Sequence, residues 1–239
     1  MGGVVDQRHA VVHRLDDLAL DRVAVAGLAD QLDTDGSGVV EDDEVVGLID
    51  PAIYEANLAA AFAEAEREDI PITGPIVGEL LYILACAAKS RRILELGTAT
   101  GYSAIYLAKA CEMFNGRVIT LENDSNMAAR ARQNFQKIGV ANRIEIRLGD
   151  AVETLHQMKM EFDFIFMDIE KQDYIRVLPD CERLLVKGGL LVADNVGFKE
   201  ADEFNHLISD NAAWRSIALF SFLPFHSPEN DALGIALRR

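Results

Sequence analysis

Apolar and polar positions along the chain predict a buried strand, a glycine turn and a helix in residues 93–111. Ile93, Leu94 and Leu96 form a short apolar run of the kind found in a strand buried on both faces. Gly97 and Gly101 bracket the turn, and apolar residues at helical spacing follow them. This order is typical of a nucleotide-binding α/β unit, in which the N–H groups at the helix start point towards the ligand.

The same alternation of strand and helix continues to the end of the chain. Four more parallel strands are predicted to end at Glu122, Asp150–Ala151, Asp168 and Asp194–Asn195. The segments 216–224 and 232–239 are joined by a short connection and predict a terminal antiparallel pair. The sequence therefore predicts an α/β fold, a doubly wound, seven-stranded, Rossmann-like sheet that ends in an antiparallel pair.

The region before the first strand is predicted to be helical. Pro51 suits the first turn of a helix, and good helix formers follow it. The segment Ile70–Pro75 contains two prolines and a glycine and predicts a loop. A helix over residues 77–88 is then expected to lead into the first strand.

The front of the chain is acidic and contains a pattern typical of calcium binding. Residues 1–70 hold 17 of the 39 acidic residues but 4 of the 23 basic ones, within a net charge of -16. After a predicted helix over 15–32, residues 33–44 match the EF-hand loop. The oxygen ligands at the matching positions would come from Asp33, Asp35, Ser37, Val39, Glu41 and Glu44. We predict a calcium-binding helical segment over residues 1–50 and a second domain over 51–239; the alternative is an acidic helix–turn–helix that binds no metal.

The glycine spacing and one acid indicate what the first turn binds. The glycines follow G-x-x-x-G and not the G-x-G-x-x-G that suits a pyrophosphate. Glu95 lies inside the first strand, where its carboxylate would repel phosphates. A ligand that carries positive charge, such as S-adenosylmethionine, would suit this position.

Acidic residues also collect at the carboxyl ends of the predicted strands, the edge at which open α/β sheets bind ligands. Glu122 stands 21 residues beyond Gly101 and is placed to accept ribose hydroxyls. Taken singly, each acid could instead cap a helix. Asp168, Asp194 and Asn195 offer only oxygen atoms, which suits Mg²⁺ and not zinc. Lys171 follows Asp168 by one helical turn and is predicted to face the same pocket; the alternative is an exposed lysine.

Five motifs in the expected order resemble those of the cation-dependent O-methyltransferases, the group of catechol and caffeoyl-CoA O-methyltransferases. The motifs are ELGTATGYSA, LEND, GDA, DIEKQDY and GGLLVADN, and the resemblance extends from about Ile70 to the C-terminus.

The resemblance implies a role for each matching residue. The methionine end of S-adenosylmethionine would be lined by Glu95, Gly97, Tyr102 and Ser103, with Thr73 from the preceding loop. The ribose would be held by Glu122 and the adenine bordered by Asp150 and Ala151. Mg²⁺ (or Mn²⁺) would be bound by Asp168, Asp194 and Asn195. Asp168 would also contact the cofactor and take part in catalysis. Lys171 would be the general base.

The predicted function is S-adenosylmethionine- and Mg²⁺-dependent O-methyl transfer to a small catechol-like acceptor. Two alternatives stay open, namely methylation of a hydroxylated tRNA base and a calcium-binding regulatory module on an inactive methyltransferase scaffold. The acidic charge disfavours nucleic acid, whose phosphates need clustered lysine and arginine. An NAD-dependent dehydrogenase is disfavoured by the glycine spacing.

The remaining expectations concern the surroundings of the site and of the protein. Residues 197–204 and 222–234 depart from the family pattern and are expected to border the acceptor. Trp214 and the aromatics of 220–225 are expected to pack in the core and sheet, although Phe225 and His226 could border the site; none of the five histidines shows ligand spacing. No apolar run approaches the roughly 20 residues of a membrane span, and the three cysteines lack C-x-x-C spacing. We therefore expect a cytoplasmic protein with no membrane partner, and the resemblance implies a homodimer.

Overall fold

The computed structural model describes residues 51–239. The predicted calcium loop at Asp33–Glu44, the helix before it and the proposed segment 1–50 lie outside the described residues, so they stay predictions. No helix in the described part of the chain is long and apolar enough to cross a bilayer.

A mixed sheet of seven strands forms the centre of the described chain. Its order is β3-β2-β1-β4-β5-β7-β6, with β1 to β5 parallel, β7 antiparallel to β5, and β6 antiparallel to β7. The strands are β1 Arg92–Leu96, β2 Arg117–Glu122, β3 Ile144–Leu148, β4 Phe162–Met167, β5 Leu185–Ala193, β6 Trp214–Phe222 and β7 Asn230–Arg238. The predicted fold class is confirmed, including the terminal antiparallel pair.

Helices cover both faces of the sheet, which explains why the central strands are apolar throughout. They are α1 Pro51–Arg67, α2 Gly74–Ala87, α3 Tyr102–Glu112, α4 Ser125–Ile138, α5 Ala151–Gln157, α6 Tyr174–Leu184 and α7 Asp202–Asp210, with short 3-10 turns at Ala141–Arg143, Lys171–Asp173 and Lys199–Ala201. One core contains residues of α1 to α4 and the other contains residues of α5 to α7. Successive β1 residues alternate between them, since Ile93 belongs to the first core and Leu94 to the second.

Several element boundaries differ from the prediction by a few residues, and the structure explains two of the differences. Helix α2 begins at Gly74, inside the predicted loop, because Pro75 needs no N–H partner in a first helical turn. Helix α6 ends at Leu184, and β5 begins at Leu185, three residues before the motif GGLLVADN that predicts the fifth strand. The pairing of β4 with β5 shifts register between Phe162 and Phe164, so the strand accommodates the additional residues.

The aromatic residues near the C-terminus are only partly as predicted. Trp214 is buried in the second core. Phe220 and Phe222 do lie in the sheet, but the prediction that they pack in the core is wrong, because they are 75% and 57% exposed. Both lie on β6, the outer strand of the sheet.

Candidate active site

A cleft of about 750 Å³ opens at the carboxyl ends of the parallel strands. Its lining contains all but one of the residues predicted to bind S-adenosylmethionine, to bind Mg²⁺ or to accept the proton. Those residues are Thr73, Gly97, Tyr102, Ser103, Glu122, Asp150, Ala151, Asp168, Lys171, Asp194 and Asn195. Glu95 is the exception, because it is fully buried in β1, two residues before Gly97.

The turn after β1 is held tightly against the end of β4. Gly97 has φ +93, and a Cβ atom there would lie 2.0 Å from the carbonyl oxygen of Asp168. Glu122 fixes the same turn, since its Oε2 accepts hydrogen bonds from the N–H groups of Thr98 (3.2 Å) and Ala99 (2.7 Å). Only glycine combines this φ with the absence of a side chain, which explains its place at this turn.

Two buried oxygen atoms beside the cleft lack hydrogen-bond partners among the described residues. Glu95 Oε2 accepts a hydrogen bond from Thr120 Oγ1 at 2.5 Å, but Glu95 Oε1 and Thr73 Oγ1 have none. Burial raises the pKa of Glu95 to about 8, although the hydrogen bond from Thr120 lowers it. Unsatisfied buried acceptors are uncommon, so this region suits a ligand that brings hydrogen-bond donors or positive charge.

Asp150 serves as a helix cap in addition to lining the cleft. Its Oδ1 accepts a hydrogen bond from the N–H of Glu153 at 2.9 Å, at the start of α5. The simple explanation of this acid as a capping residue therefore holds for Asp150. Glu122 differs, since it is the last residue of β2 and bonds to the glycine turn instead.

Asp168 and Asp194 lie side by side at the ends of neighbouring strands. The N–H of Asp168 continues the sheet by bonding to Leu96 O, and that of Asp194 bonds to Met167 O, both at 2.9 Å. Lys171 Nζ lies 3.0 Å from Asp168 Oδ1 and 3.1 Å from Ile169 O. Burial and the neighbouring Asp194 carboxylate raise the pKa of Asp168, against the opposing effect of Lys171.

The structure adds two residues that the sequence did not assign to this cluster. His226 Nε2 lies 2.9 and 3.0 Å from the two carboxylate oxygens of Asp194. Asp231 Oδ2 accepts a hydrogen bond from Asn195 Nδ2 at 2.5 Å. Asn195 itself adopts a left-handed backbone conformation, with φ +51. His226 lies 32 residues from Asp194, so no local spacing could have revealed the contact.

The remaining predicted neighbours divide into two groups. His226 and Ser227 line the cleft. Phe225 packs edge-on against Phe62 of α1, with ring centroids 5.7 Å apart, and is not part of the lining.

The fold and the cleft are those of a cofactor-binding α/β enzyme. The carboxyl ends of its parallel strands carry two buried oxygen atoms without hydrogen-bond partners and a cluster of carboxylates. A family model described as O-methyltransferase matches residues 57–206. The chain therefore belongs to the O-methyltransferase family. This confirms the predicted class of reaction, which is S-adenosylmethionine-dependent O-methyl transfer.

Individual relatives agree with this assignment. The chain is 39% identical to a catechol O-methyltransferase of Niastella koreensis over 157 residues, which cover 64% of this chain and 69% of the relative. It is 38% identical to a catechol O-methyltransferase of Mycobacterium tuberculosis over 158 residues, which cover 65% and 69%. Among solved structures, the O-methyltransferase of Bacillus cereus in complex with SAH matches with a TM-score of 0.70 and 27% identity, over 77% of this chain and 91% of that one.

Proposed function

We propose that this enzyme methylates a hydroxyl of a small catechol-like acceptor and uses a divalent cation, Mg²⁺ or Mn²⁺, in doing so. The observation that carries the proposal is one cleft that contains both the residues assigned to S-adenosylmethionine, apart from the buried Glu95, and the cluster Asp168, Asp194, Asn195 and Lys171. Two relatives named catechol O-methyltransferase support the acceptor class.

The cofactor half of the cleft suits S-adenosylmethionine in three ways. The partnerless Glu95 Oε1 and Thr73 Oγ1 would accept hydrogen bonds from the amino group at the methionine end. Gly97 and Glu122 line the cleft together, and Glu122 at the end of β2 would accept a hydrogen bond from the ribose. Asp150 and Ala151 would border the adenine ring.

The carboxylate half suits a hard divalent cation. Asp168 and Asp194 supply carboxylate oxygens, and Asn195 supplies its amide oxygen because Nδ2 already donates to Asp231 and to Ser227 O. Small sets of oxygen ligands are typical of Mg²⁺ and Mn²⁺ sites. When bound, such a cation would orient two adjacent hydroxyls and lower the pKa of the one that reacts.

The protein's own groups would then move the proton and exclude water. Lys171, in its neutral form, would take the proton of the reacting hydroxyl. The oxygen would form a bond to the methyl carbon as the bond from that carbon to sulfur breaks, which leaves S-adenosylhomocysteine. The negative oxygen and the positive sulfonium neutralise one another in this step, so a pocket that excludes water favours it. Alignment of the oxygen with the bond from the methyl carbon to sulfur favours it further.

The first experiment combines S-adenosylmethionine with caffeic acid and the pure protein, with Mg²⁺ or with EDTA. We expect a product heavier by one methyl group in mass spectrometry, lost with EDTA and restored by Mg²⁺. Transfer that persists unchanged in EDTA would contradict the cation. Cofactor binding without transfer to any vicinal-hydroxyl compound would contradict the acceptor class.

Lys171→Met tests the proton acceptor. We expect kcat to fall by roughly 10²–10⁴-fold, the usual contribution of a general base, while the affinity for S-adenosylmethionine stays within about twofold. Lys187→Met removes an exposed lysine of β5 and should leave both quantities unchanged. An unchanged kcat in Lys171→Met would remove this residue from the proposed mechanism.

We also propose a homodimer in the cytoplasm. The exposed apolar residues on the outer strand β6 support association between copies: Ile217, Leu219, Phe220 and Phe222. The three cysteines are unpaired, which supports a reducing compartment.

A further inference from the structure

His226 occupies the wall of the cation site with both ring nitrogens in contact with oxygen atoms. Nδ1 lies 2.7 Å from the carbonyl oxygen of Pro228. A carbonyl can only accept a hydrogen bond, so Nδ1 carries a hydrogen. Nε2 faces the two carboxylate oxygens of Asp194, and the His226 side chain is 1% exposed.

The contact of Nδ1 with Pro228 O leaves Nε2 as the ring atom that faces Asp194, which is the position of a metal-binding nitrogen. Metal-binding histidines commonly donate their other ring N–H to a backbone carbonyl, as His226 does to Pro228.

The charge around His226 suits a bound divalent cation. Asp168, Asp194 and Asp231 bring three carboxylates to this end of the cleft. Of the described residues that line the cleft, Lys171 is the only lysine or arginine. Three carboxylates beside one lysine form a negatively charged set, which a bound divalent cation would offset.

The distances between donor atoms also suit one ion. One ligand atom each from Asp194, His226 and Asp231 lie within 4.8 Å of one another. Neighbouring ligands with metal bonds of about 2.1 Å are expected about 3 Å apart, which is the separation of Nε2 from the Asp194 oxygens. Asp231 also accepts from Asn195 Nδ2, so it holds the Asn195 amide in place.

We infer that His226 Nε2 is a ligand of the divalent cation, beside the oxygen atoms of Asp168, Asp194 and Asn195, with Asp231 as a positioning residue. The inference rests on the cation of the proposed function. An imidazole ligand shifts affinity away from Mg²⁺ and towards Mn²⁺, Co²⁺ and Zn²⁺. The site therefore binds Mn²⁺ and Co²⁺ more tightly than Mg²⁺.

Pulsed electron paramagnetic resonance on the full chain with Mn²⁺ tests this without an activity assay. Protein stripped with EDTA and reloaded with Mn²⁺ should show nitrogen modulation at the metal. Labelling the histidines with ¹⁵N should change that modulation, and this comparison needs no variant. His226→Gln should then abolish it, whereas His206→Gln, an exposed histidine of α7, should keep it.

Calorimetry supplies the second measurement. In His226→Gln we expect the affinity for Mn²⁺ to fall by at least about tenfold and the preference for Mn²⁺ over Mg²⁺ to shrink. Circular dichroism melting would show whether the variant folds. An affinity that rises in His226→Gln would identify the imidazole as a competing counter-ion and overturn the inference.

The outcomes separate this inference from the proposed function. Bound Mn²⁺ without nitrogen modulation overturns the role of His226 but leaves the cation and its oxygen ligands standing. Absence of Mn²⁺ and Co²⁺ binding in the wild-type protein overturns both. Nitrogen modulation without methyl transfer to caffeic acid supports the proposed metal ligands and contradicts only caffeic acid as the acceptor.

Discussion

We expect single residues at the turn after β1 to decide whether the cleft can accept S-adenosylmethionine. Gly97 lies so close to the backbone of Asp168 that an added Cβ would overlap its carbonyl oxygen, so the turn after β1 and the first residue of the carboxylate cluster depend on each other's position. Glu95, two residues earlier, places a buried carboxyl with a raised pKa behind the same turn. A substitution of Gly97 therefore tests the effect of shape on the proposed cofactor site, and a substitution of Glu95 tests the effect of charge.

Gly97→Ala should weaken S-adenosylmethionine binding by at least about tenfold, because its Cβ would displace the Asp168 carbonyl. Gly139→Ala is the matched control: its φ is +87, but an added Cβ meets nothing within 4 Å. It should cost about 1 kcal/mol of stability and leave cofactor affinity unchanged. Calorimetry and thermal unfolding measure the two effects; equal loss of affinity in both variants would contradict the steric explanation.

Glu95→Gln should remove a pH dependence of cofactor binding. The folded pKa of Glu95, about 8, exceeds its ordinary value of 4.5, so the unliganded protein gains stability from this group at low pH and loses it as pH rises towards 8. A cationic ligand favours the ionised form, so S-adenosylmethionine binding should release protons below pH 8 and tighten as pH rises from 6 to 8. Calorimetry in two buffers of different ionisation enthalpy would detect the release in the wild type and its absence in Glu95→Gln.

At the scale of elements, local patterns predicted the strands and helices better than the contacts between distant segments. The sequence predicted β1 and β4 and the acids at their ends. A strand that is buried on both faces needs a continuous apolar run, and such a run is visible in the sequence. The sequence could not predict the contact between His226 Nε2 and the Asp194 carboxylate. That contact depends on the pairing of β7 with β5 and on the path of the connection between β6 and β7. Phe220 and Phe222 were misplaced for a related reason: an apolar sequence does not reveal which strand is outermost.

The outer strand β6 provides the prediction for this scale. Phe220→Ser combined with Phe222→Ser should convert the proposed homodimer to a monomer, because both exposed rings leave the surface that would be buried. Sedimentation equilibrium gives the mass. Met113→Ser, which removes a 74% exposed apolar residue elsewhere, should leave the mass unchanged. A wild-type protein that sediments as a monomer would contradict the homodimer itself.

At the scale of the molecule, every residue assigned to S-adenosylmethionine, to the divalent cation or to the proton lies between residues 51 and 239. A chain that begins at Pro51 should therefore fold and bind S-adenosylmethionine within about threefold of the full chain. The same truncation removes the predicted calcium loop, so calcium binding by the full chain should be lost with it and also with Glu44→Gln. Isothermal titration with each ligand measures both; loss of cofactor binding in the shorter chain would contradict the predicted boundary at residue 50.

The connection between β6 and β7 links properties that are usually treated as separate. It carries His226 to the carboxylates and Phe225 to α1, and it continues from the exposed strand β6. Mutations that accumulate there during evolution would change acceptor choice and metal preference in the same step. An engineer who grafts a relative's segment 223–229 to obtain a new acceptor should consequently screen metals again, since the graft also replaces an inferred ligand.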